Sequence, residues 1–399
     1  MASRGGRDSA RAQRSVKGDS GLASPARAVI ASGMVGSSIL DYWIDPSPVA
    51  FLVLLALGVG VLRLVLPKDR FYALAIGAFL AFLLAEAFCR TFDLVEPTAK
   101  PFWGEKKSDG GDQPYVPNSR LTYRYPSNPR GYFDARNRVL GRINSLGFRG
   151  PEVSREKDPN RPRIVVLGDS FTLGLGVRDE HTLPAQLERE LKSRGVDAEV
   201  LNFGVTGADT RFEVNLLQRY ALDFDPDVVV VVAFLNDAAE EHTLYYLSGT
   251  RLLRRVRKYS AFLDALSFQM DRWLLHGEMI RHYRLAYRED SPAWVEMRHQ
   301  LERGRTLANR GGARFVVALY PILHRLDDRY PFREIHAEIG DFCASVSIPF
   351  VDLLPGFMGR EASEMWVHPV DPHPNEIAHA IAARELADFL IRRRMLPPS

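Results

Sequence analysis

Five short runs rich in β-branched and other apolar residues recur between residues 163 and 353, and stretches with helical periodicity alternate with them. The runs cover 163–167 (Arg-Ile-Val-Val-Leu), 198–202, 227–235, 314–320 and 349–353. The helical stretches cover 183–194, 210–222, a long region beyond 238, 331–345 and 375–392. Parallel strands cannot be joined by tight turns, and a helix between successive strands supplies the crossover they need. The pattern predicts an α/β domain on a doubly wound, five-stranded parallel sheet with helices on both faces. Functional residues in such sheets gather beyond the carboxyl ends of the strands.

Composition narrows the chemistry. With 52 basic and 49 acidic residues the formal charge is +3, too balanced to favour nucleic acid, and no nucleic-acid motif is present. Cys89 and Cys343 are the only cysteines, too few for a disulfide framework or a cysteine-rich metal site. Cys89 follows Glu86-Ala87-Phe88, a poor match to a lipoprotein processing site. His, Cys and carboxylate residues form no compact cluster with ligand spacing, so neither a metal nor another cofactor is expected.

The first 95 residues are a different material. Residues 1–27 carry six basic side chains among Gly, Ser and Ala and read as a disordered tail. Residues 28–95 form the expected membrane region. Two apolar runs, 48–66 and 71–89, are interrupted only by Arg63 and Glu86, and each can cross a hydrocarbon layer of about 30 Å. The short link 67–70 predicts a transmembrane helical hairpin, and a weaker run at 28–44 is a candidate third span. Arg63 and Glu86 stand close enough to the helix ends to reach the interface, and both are read as tolerated there. Arg63, Lys68 and Arg70 concentrate positive charge at the hairpin tip, whereas 28–47 has no Lys or Arg. The positive-inside rule then puts the tip in the cytoplasm and the following domain in the periplasm or outside the cell. Residues 96–139, polar and rich in Pro, Gly and Asp, read as a linker ahead of a catalytic domain at 140–399.

Three strand ends carry unusual residues. The first ends in Gly168-Asp169-Ser170, a sharp exit that would expose the Ser170 hydroxyl and aim its N–H into the same space. The second ends in Asn202-Phe203-Gly204, where glycine lets a backbone N–H approach a substrate closely. The third ends in Asn236-Asp237, which supplies an amide. The donors of Ser170, Gly204 and Asn236, converging on one face, meet the need of a tetrahedral oxyanion formed during acyl transfer. A hydroxyl also needs a base, and the base an orienting partner. The loop 366–375 offers His373 as base, with Asp371 two residues before it. His368 is the competing base, read as structural because no acidic residue lies at similarly short spacing upstream. A backbone carbonyl is the alternative to Asp371 as orienter.

These four blocks, in this order and on these elements, resemble the SGNH (GDSL-type) hydrolases. Ser170, Gly204, Asn236 and His373 match that family's named residues across roughly 140–395. The Asp-x-His spacing is shorter than the family's common one and resembles a variant within the superfamily. Asn144-Ser145-Leu146-Gly147-Phe148-Arg149-Gly150 resembles the segment before the nucleophile strand in membrane-anchored members, and no catalytic role is inferred for it. The resemblance implies a flavodoxin-like SGNH fold and serine-dependent hydrolysis of short acyl esters through an acyl-enzyme intermediate, with cell-envelope glycans as candidate substrates. Transfer of the acyl group to a polysaccharide hydroxyl is one alternative. A non-catalytic envelope-binding protein on the same scaffold is the other, and binding alone has no need of a nucleophile and base together.

A helix-rich insertion at 238–310 interrupts the alternation and contains Trp273, Tyr283, Tyr287 and Trp294. Its aromatics either cap the active site or pack a core of their own. Its basic cluster, Arg251, Arg254, Arg255, Arg257 and Lys258, either touches anionic lipid or polymer or forms a solvated face.

Overall fold

The computed structural model describes residues 59, 62–91, 102–105, 114–238 and 259–397. The basic tail, the weak run at 28–44, nearly all of the 48–66 run, Trp273's side chain and the basic cluster at 251–258 lie outside the described residues. Two compact units are distinguished, residues 1–80 with 250–252, and residues 81–249 with 253–399. Of the two apolar runs expected to form a hairpin, nearly all of the first lies outside the described residues, and the second falls within helix α1 (Lys68–Thr91). It is long and apolar enough to cross a membrane, with a mean hydropathy of 2.0 over its best window. Its side chains are exposed on several faces, Leu74, Phe79, Leu84 and Phe88 among them.

The centre of the larger unit is a five-stranded parallel sheet. Its strands are β4 (Arg163–Gly168), β5 (Glu199–Gly204), β6 (Val228–Ala233), β7 (Arg314–Leu319) and β8 (Phe350–Asp352), in the spatial order β5-β4-β6-β7-β8. Every residue of β4 and β6 is buried, as expected where helices cover both faces and a strand is apolar along its whole length. The chain leaves β4 toward β5 on one side and later returns to β6 on the other. β4 thus stands at the topological switch point, where this strand order leaves a crevice.

Residues 96–139 were expected to be a linker, and over 114–139 they are not. β1 (Phe102–Gly104), β2 (Arg120–Arg124) and β3 (Arg138–Arg142) form an antiparallel sheet in that order. β2 alternates in burial, with Leu121 and Tyr123 fully buried and Arg120 and Arg124 exposed, the mark of a sheet with one face on a core. Tyr115, Leu121, Tyr123, Tyr125 and Phe133 join the same core as the parallel sheet.

The expected insertion is also narrower. Helix α6 (Pro292–Arg310) buries Trp294, Met297, Leu301 and Gly304 along one stripe. It packs on α4 (Thr210–Arg219) and β7, so it is the crossover between β6 and β7. Gly304 permits this approach, because a Cβ there would lie 2.9 Å from the Phe315 ring. The preceding helix α5 (Ala261–Ala286) is capped by Ser260, whose Oγ accepts from the Leu263 N–H.

Glu86 has a larger part than the tolerated charge expected of it. Its carboxylate accepts from Ser260 Oγ at 2.7 Å and from the N–H groups of Ala261 at 3.0 Å and Phe262 at 2.9 Å. It is the anionic cap of α5, satisfying N–H groups that a helix start leaves unpaired.

If 114–139 belongs to the folded domain, Leu121→Ala should destabilise the protein by about 2–5 kcal/mol, the cost of truncating a buried leucine. Urea unfolding followed by tryptophan fluorescence checks this, and a linker would give no change.

Candidate active site

β4 ends at Gly168, where a Cβ would lie 2.1 Å from Thr172 Oγ1. Only glycine allows the chain to fold back into the short helix α2 (Ser170–Leu173) directly after the strand. Asp169 caps that helix, its Oδ1 accepting from the Phe171 N–H at 2.8 Å. Ser170 is consequently the first residue of a helix at the switch point, with its hydroxyl at the sheet's carboxyl edge and its N–H lacking an intrahelical acceptor.

The facing hairpin, β9 (Trp366–His368) and β10 (Asp371–Pro374), brings the base. Asp371 and His373 stand two apart in β10, where its pairing with β9 is irregular, and their side chains meet directly. His373 Nε2 lies 3.0 Å from Ser170 Oγ, and His373 Nδ1 lies 2.5 Å from Asp371 Oδ1. A carboxylate, not a carbonyl, is therefore the partner of Nδ1. Asp371 is 2% exposed and also accepts from Tyr125 Oη, at 2.9 Å on Oδ2. Burial alone would raise its pKa. The charge on His373 and the hydrogen bonds from His373 and Tyr125 outweigh burial and hold the carboxyl below its usual range. Asn375 fixes the hairpin's exit, donating to the carbonyls of Glu364 and Trp366 and capping α8 (Glu376–Arg392) through its Oδ1.

His368 does not compete for Ser170. Its Nδ1 accepts from the Val370 N–H at 3.2 Å, which leaves the proton on Nε2, 3.0 Å from Ser127 Oγ. It is buried and stacks on Tyr125, with ring centroids 5.5 Å apart.

The expected oxyanion donors differ in readiness. Asn236, in the 3₁₀ turn Leu235–Ala238 after β6, reaches the nucleophile turn, where its Nδ2 donates to Asp169 Oδ2 at 3.2 Å. Gly204 lies opposite Gly168 in the sheet register, yet its N–H donates to Asn202 Oδ1 at 2.9 Å. Its lack of a side chain has a direct steric reason: a Cβ would lie 2.1 Å from Leu173 N. Asp237, next to Asn236, is half-buried, and Glu213 is fully buried. Burial, and for both the neighbouring carboxylates, push their pKa values well up.

Sequence reasoning gave no role to Arg149, and the structure gives it a large one. Its guanidinium, fully buried, donates to the carbonyls of Leu173 at 2.9 Å, Gly174, and Val177 at 2.5 Å, and Nε pairs with Asp179 at 2.9 Å. It clamps the turn that follows Ser170. Asn144 shapes the loop that delivers it, its Oδ1 accepting from the Leu146 and Phe148 N–H groups. The insertion's described aromatics do not cap the site. Tyr283 packs on Phe332, while Trp294 packs on Tyr287 and Phe342, all within the domain's core.

A hydroxyl, an imidazole and a carboxylate in hydrogen-bonded series, at a strand-end crevice, are the constellation of a serine hydrolase. The GDSL-like Lipase/Acylhydrolase family matches residues 166–381, more than half of the chain. The protein belongs to that family and is an acyl ester hydrolase of the SGNH fold. Among solved structures it is similar to TesA, at 17% identity over 57% of this chain and 98% of that one, with a TM-score of 0.38. It is also similar to the lipase/acylhydrolase from Enterococcus faecalis, at 17% identity, 60% and 98% coverage and a TM-score of 0.38. A two-domain esterase active on acetylated mannans is 16% identical over 60% of this chain and 51% of its own, with a TM-score of 0.34. No curated protein sequence matches.

Two outcomes follow from the buried polar groups around the site. Arg149→Met removes the donor to the Val177 carbonyl, one donor each to the Leu173 and Gly174 carbonyls and the buried partner of Asp179, and should cost about 3–5 kcal/mol in chemical unfolding. His379, fully buried with no partner on either ring nitrogen, is pushed down to about 3 by burial first, then by Arg149, His373 and His181. Its folded pKa lies below the unfolded value, so its contribution is complete above about pH 6.5 and is lost progressively as pH falls toward 3. His181, also lowered by burial, adds to the same slope. His379→Leu should flatten, without abolishing, the loss of stability between pH 6.5 and 4, measured by urea unfolding.

Proposed function

We propose that the protein removes short acyl groups, acetyl above all, from esters on cell-envelope glycans, with Ser170 as nucleophile, His373 as base and Asp371 as orienter. The observation that carries the reading is the unbroken series Ser170 Oγ, His373 and Asp371 at 3.0 and 2.5 Å.

His373 Nε2 takes the Ser170 proton as Oγ adds to the ester carbonyl carbon, and the imidazolium is held by Asp371. The oxyanion takes hydrogen bonds from the Ser170 N–H and Asn236 Nδ2. Gly204 can join only when Asn202 Oδ1 gives way. Collapse of the intermediate breaks the bond to the alkoxy oxygen, which leaves with the proton from His373, and Ser170 is acylated. Water, deprotonated by His373, then adds to the acyl carbonyl carbon, and collapse of this second intermediate breaks the bond to Ser170 Oγ, which takes the proton back from His373 as the acid leaves.

Crowding favours a short acyl group: Phe171 packs on Phe234 and Tyr320 at 4.2 and 5.1 Å and on His373 at 5.6 Å, filling the space beside the base. The envelope substrate follows from α1 as a membrane anchor and from the positive charge at its start, which favours a periplasmic or extracellular catalytic domain.

The test uses the full chain in detergent micelles with p-nitrophenyl esters from acetate to octanoate. Wild type should prefer acetate, and Ser170→Ala and His373→Ala should each lose at least about 1,000-fold in kcat. Full turnover by Ser170→Ala would sink the assignment, and acetyl appearing on an added oligosaccharide would mark the enzyme as a transferase.

A further inference from the structure

The antiparallel sheet that shares the core of the parallel sheet supplies a residue to the site itself. Asp371 has two carboxylate oxygens, and they are divided between two directions. Oδ1 faces His373, accepting from its backbone N–H at 3.2 Å as well as meeting Nδ1. Oδ2 is met by the hydroxyl of Tyr125, the residue that follows β2, at 2.9 Å, across 246 positions of sequence.

The hydroxyl is held there by several independent constraints. The Tyr125 ring stacks on Phe133, with centroids 4.6 Å apart and planes 9° apart, and on His368 from another side. Its N–H donates to the Asn137 carbonyl at 2.9 Å. Gly176, in the turn clamped by Arg149, has a φ of +78°, and a Cβ there would lie 2.3 Å from the Tyr125 hydroxyl. The chain thus leaves room for this oxygen at a position where a left-handed backbone already favours glycine.

We infer that Tyr125 is a positioning residue for the hydrolytic reaction, setting the orientation of Asp371 and, through it, the basicity of His373. The inference rests on the assignment of Ser170, His373 and Asp371 made above. A hydroxyl donating to a carboxylate spreads its negative charge and fixes its plane. Asp371 then stabilises the imidazolium less than a carboxylate lacking that donor would, and His373 remains unprotonated, and able to act as base, down to lower pH.

Other titratable groups around the pair leave His373 as the group that reports the change. His368, on β9, is held in its Nε2–H form by Val370 and Ser127. His379, on α8, stays neutral above about pH 3. Arg149 pairs with Asp179 and donates to the carbonyls of the turn. His181, lowered by burial, hydrogen-bonds to Tyr132, and Glu376 pairs with Arg130. Asp169 accepts from Asn236, and Asp237 accepts from Thr210 and the Phe234 N–H.

The experiment compares wild type, Tyr125→Phe, Ser170→Ala and His373→Ala as full chains in detergent, with kcat and KM for p-nitrophenyl acetate taken from pH 4.5 to 9. Phenylalanine keeps the stack on Phe133 and His368, and a circular-dichroism melt verifies that the variant is folded. Tyr125→Phe should lower kcat roughly tenfold with KM unchanged within about twofold. The acid limb of kcat/KM should move up by about half a pH unit or more. A purely structural tyrosine would lower the melting temperature and leave the limb in place. An acid limb at the wild-type pH in Tyr125→Phe overturns the inference, whatever its stability. If Ser170→Ala and His373→Ala keep wild-type turnover, the underlying assignment fails instead.

Discussion

The contact between His373 Nε2 and Ser170 Oγ joins residues 203 positions apart, and neither element that carries them could hold the distance alone. Ser170 begins a helix of four residues, too short to be stable by itself. β9 and β10 form a hairpin of a few residues, which is likewise marginal in isolation. The distance is kept by what each is fixed to. Beneath Ser170 lies a fully buried β4 with strands on both sides. Around the turn that follows it, Arg149 donates to three carbonyls. On the other side Asn375 ties the hairpin to α8.

Charge is sorted across this arrangement by the hydrogen bonds available to each buried acid. Asp371 receives donors from His373 and Tyr125 and stays ionised, where it can support an imidazolium. Asp237 has Thr210 and the Phe234 N–H, Glu213 has no donor on either oxygen, and burial drives both toward the neutral form. The same logic keeps His379 neutral beside Arg149.

The strand ends were legible in the sequence because a parallel sheet leaves them few places to go. Runs such as Val228–Ala233 fix a buried strand, and Ser170, Asn236 and the His373 loop then fall on one edge. Gly204 was read for its N–H, yet its Cβ-free approach to Leu173 is a steric demand that a motif does not distinguish from a catalytic one. At 114–139 the alternation of Leu121, Tyr123 and Tyr125 was present, but the surrounding Pro, Gly and Asp hid it. Arg149 and Tyr125 act on residues distant in sequence, and no local spacing announces such partners. Glu86 was judged by its cost in an apolar helix, and its reward, the start of α5, lies more than 170 residues away.

The central claim is that Ser170 is the nucleophile activated by His373. The most direct measurement is intact-protein and peptide mass spectrometry after brief exposure to a fluorophosphonate, which captures an activated serine covalently. The account expects a single adduct on the peptide containing Ser170, and slow or absent labelling in His373→Ala. Rapid labelling of another serine, or equal labelling of Ser170 without His373, would contradict it.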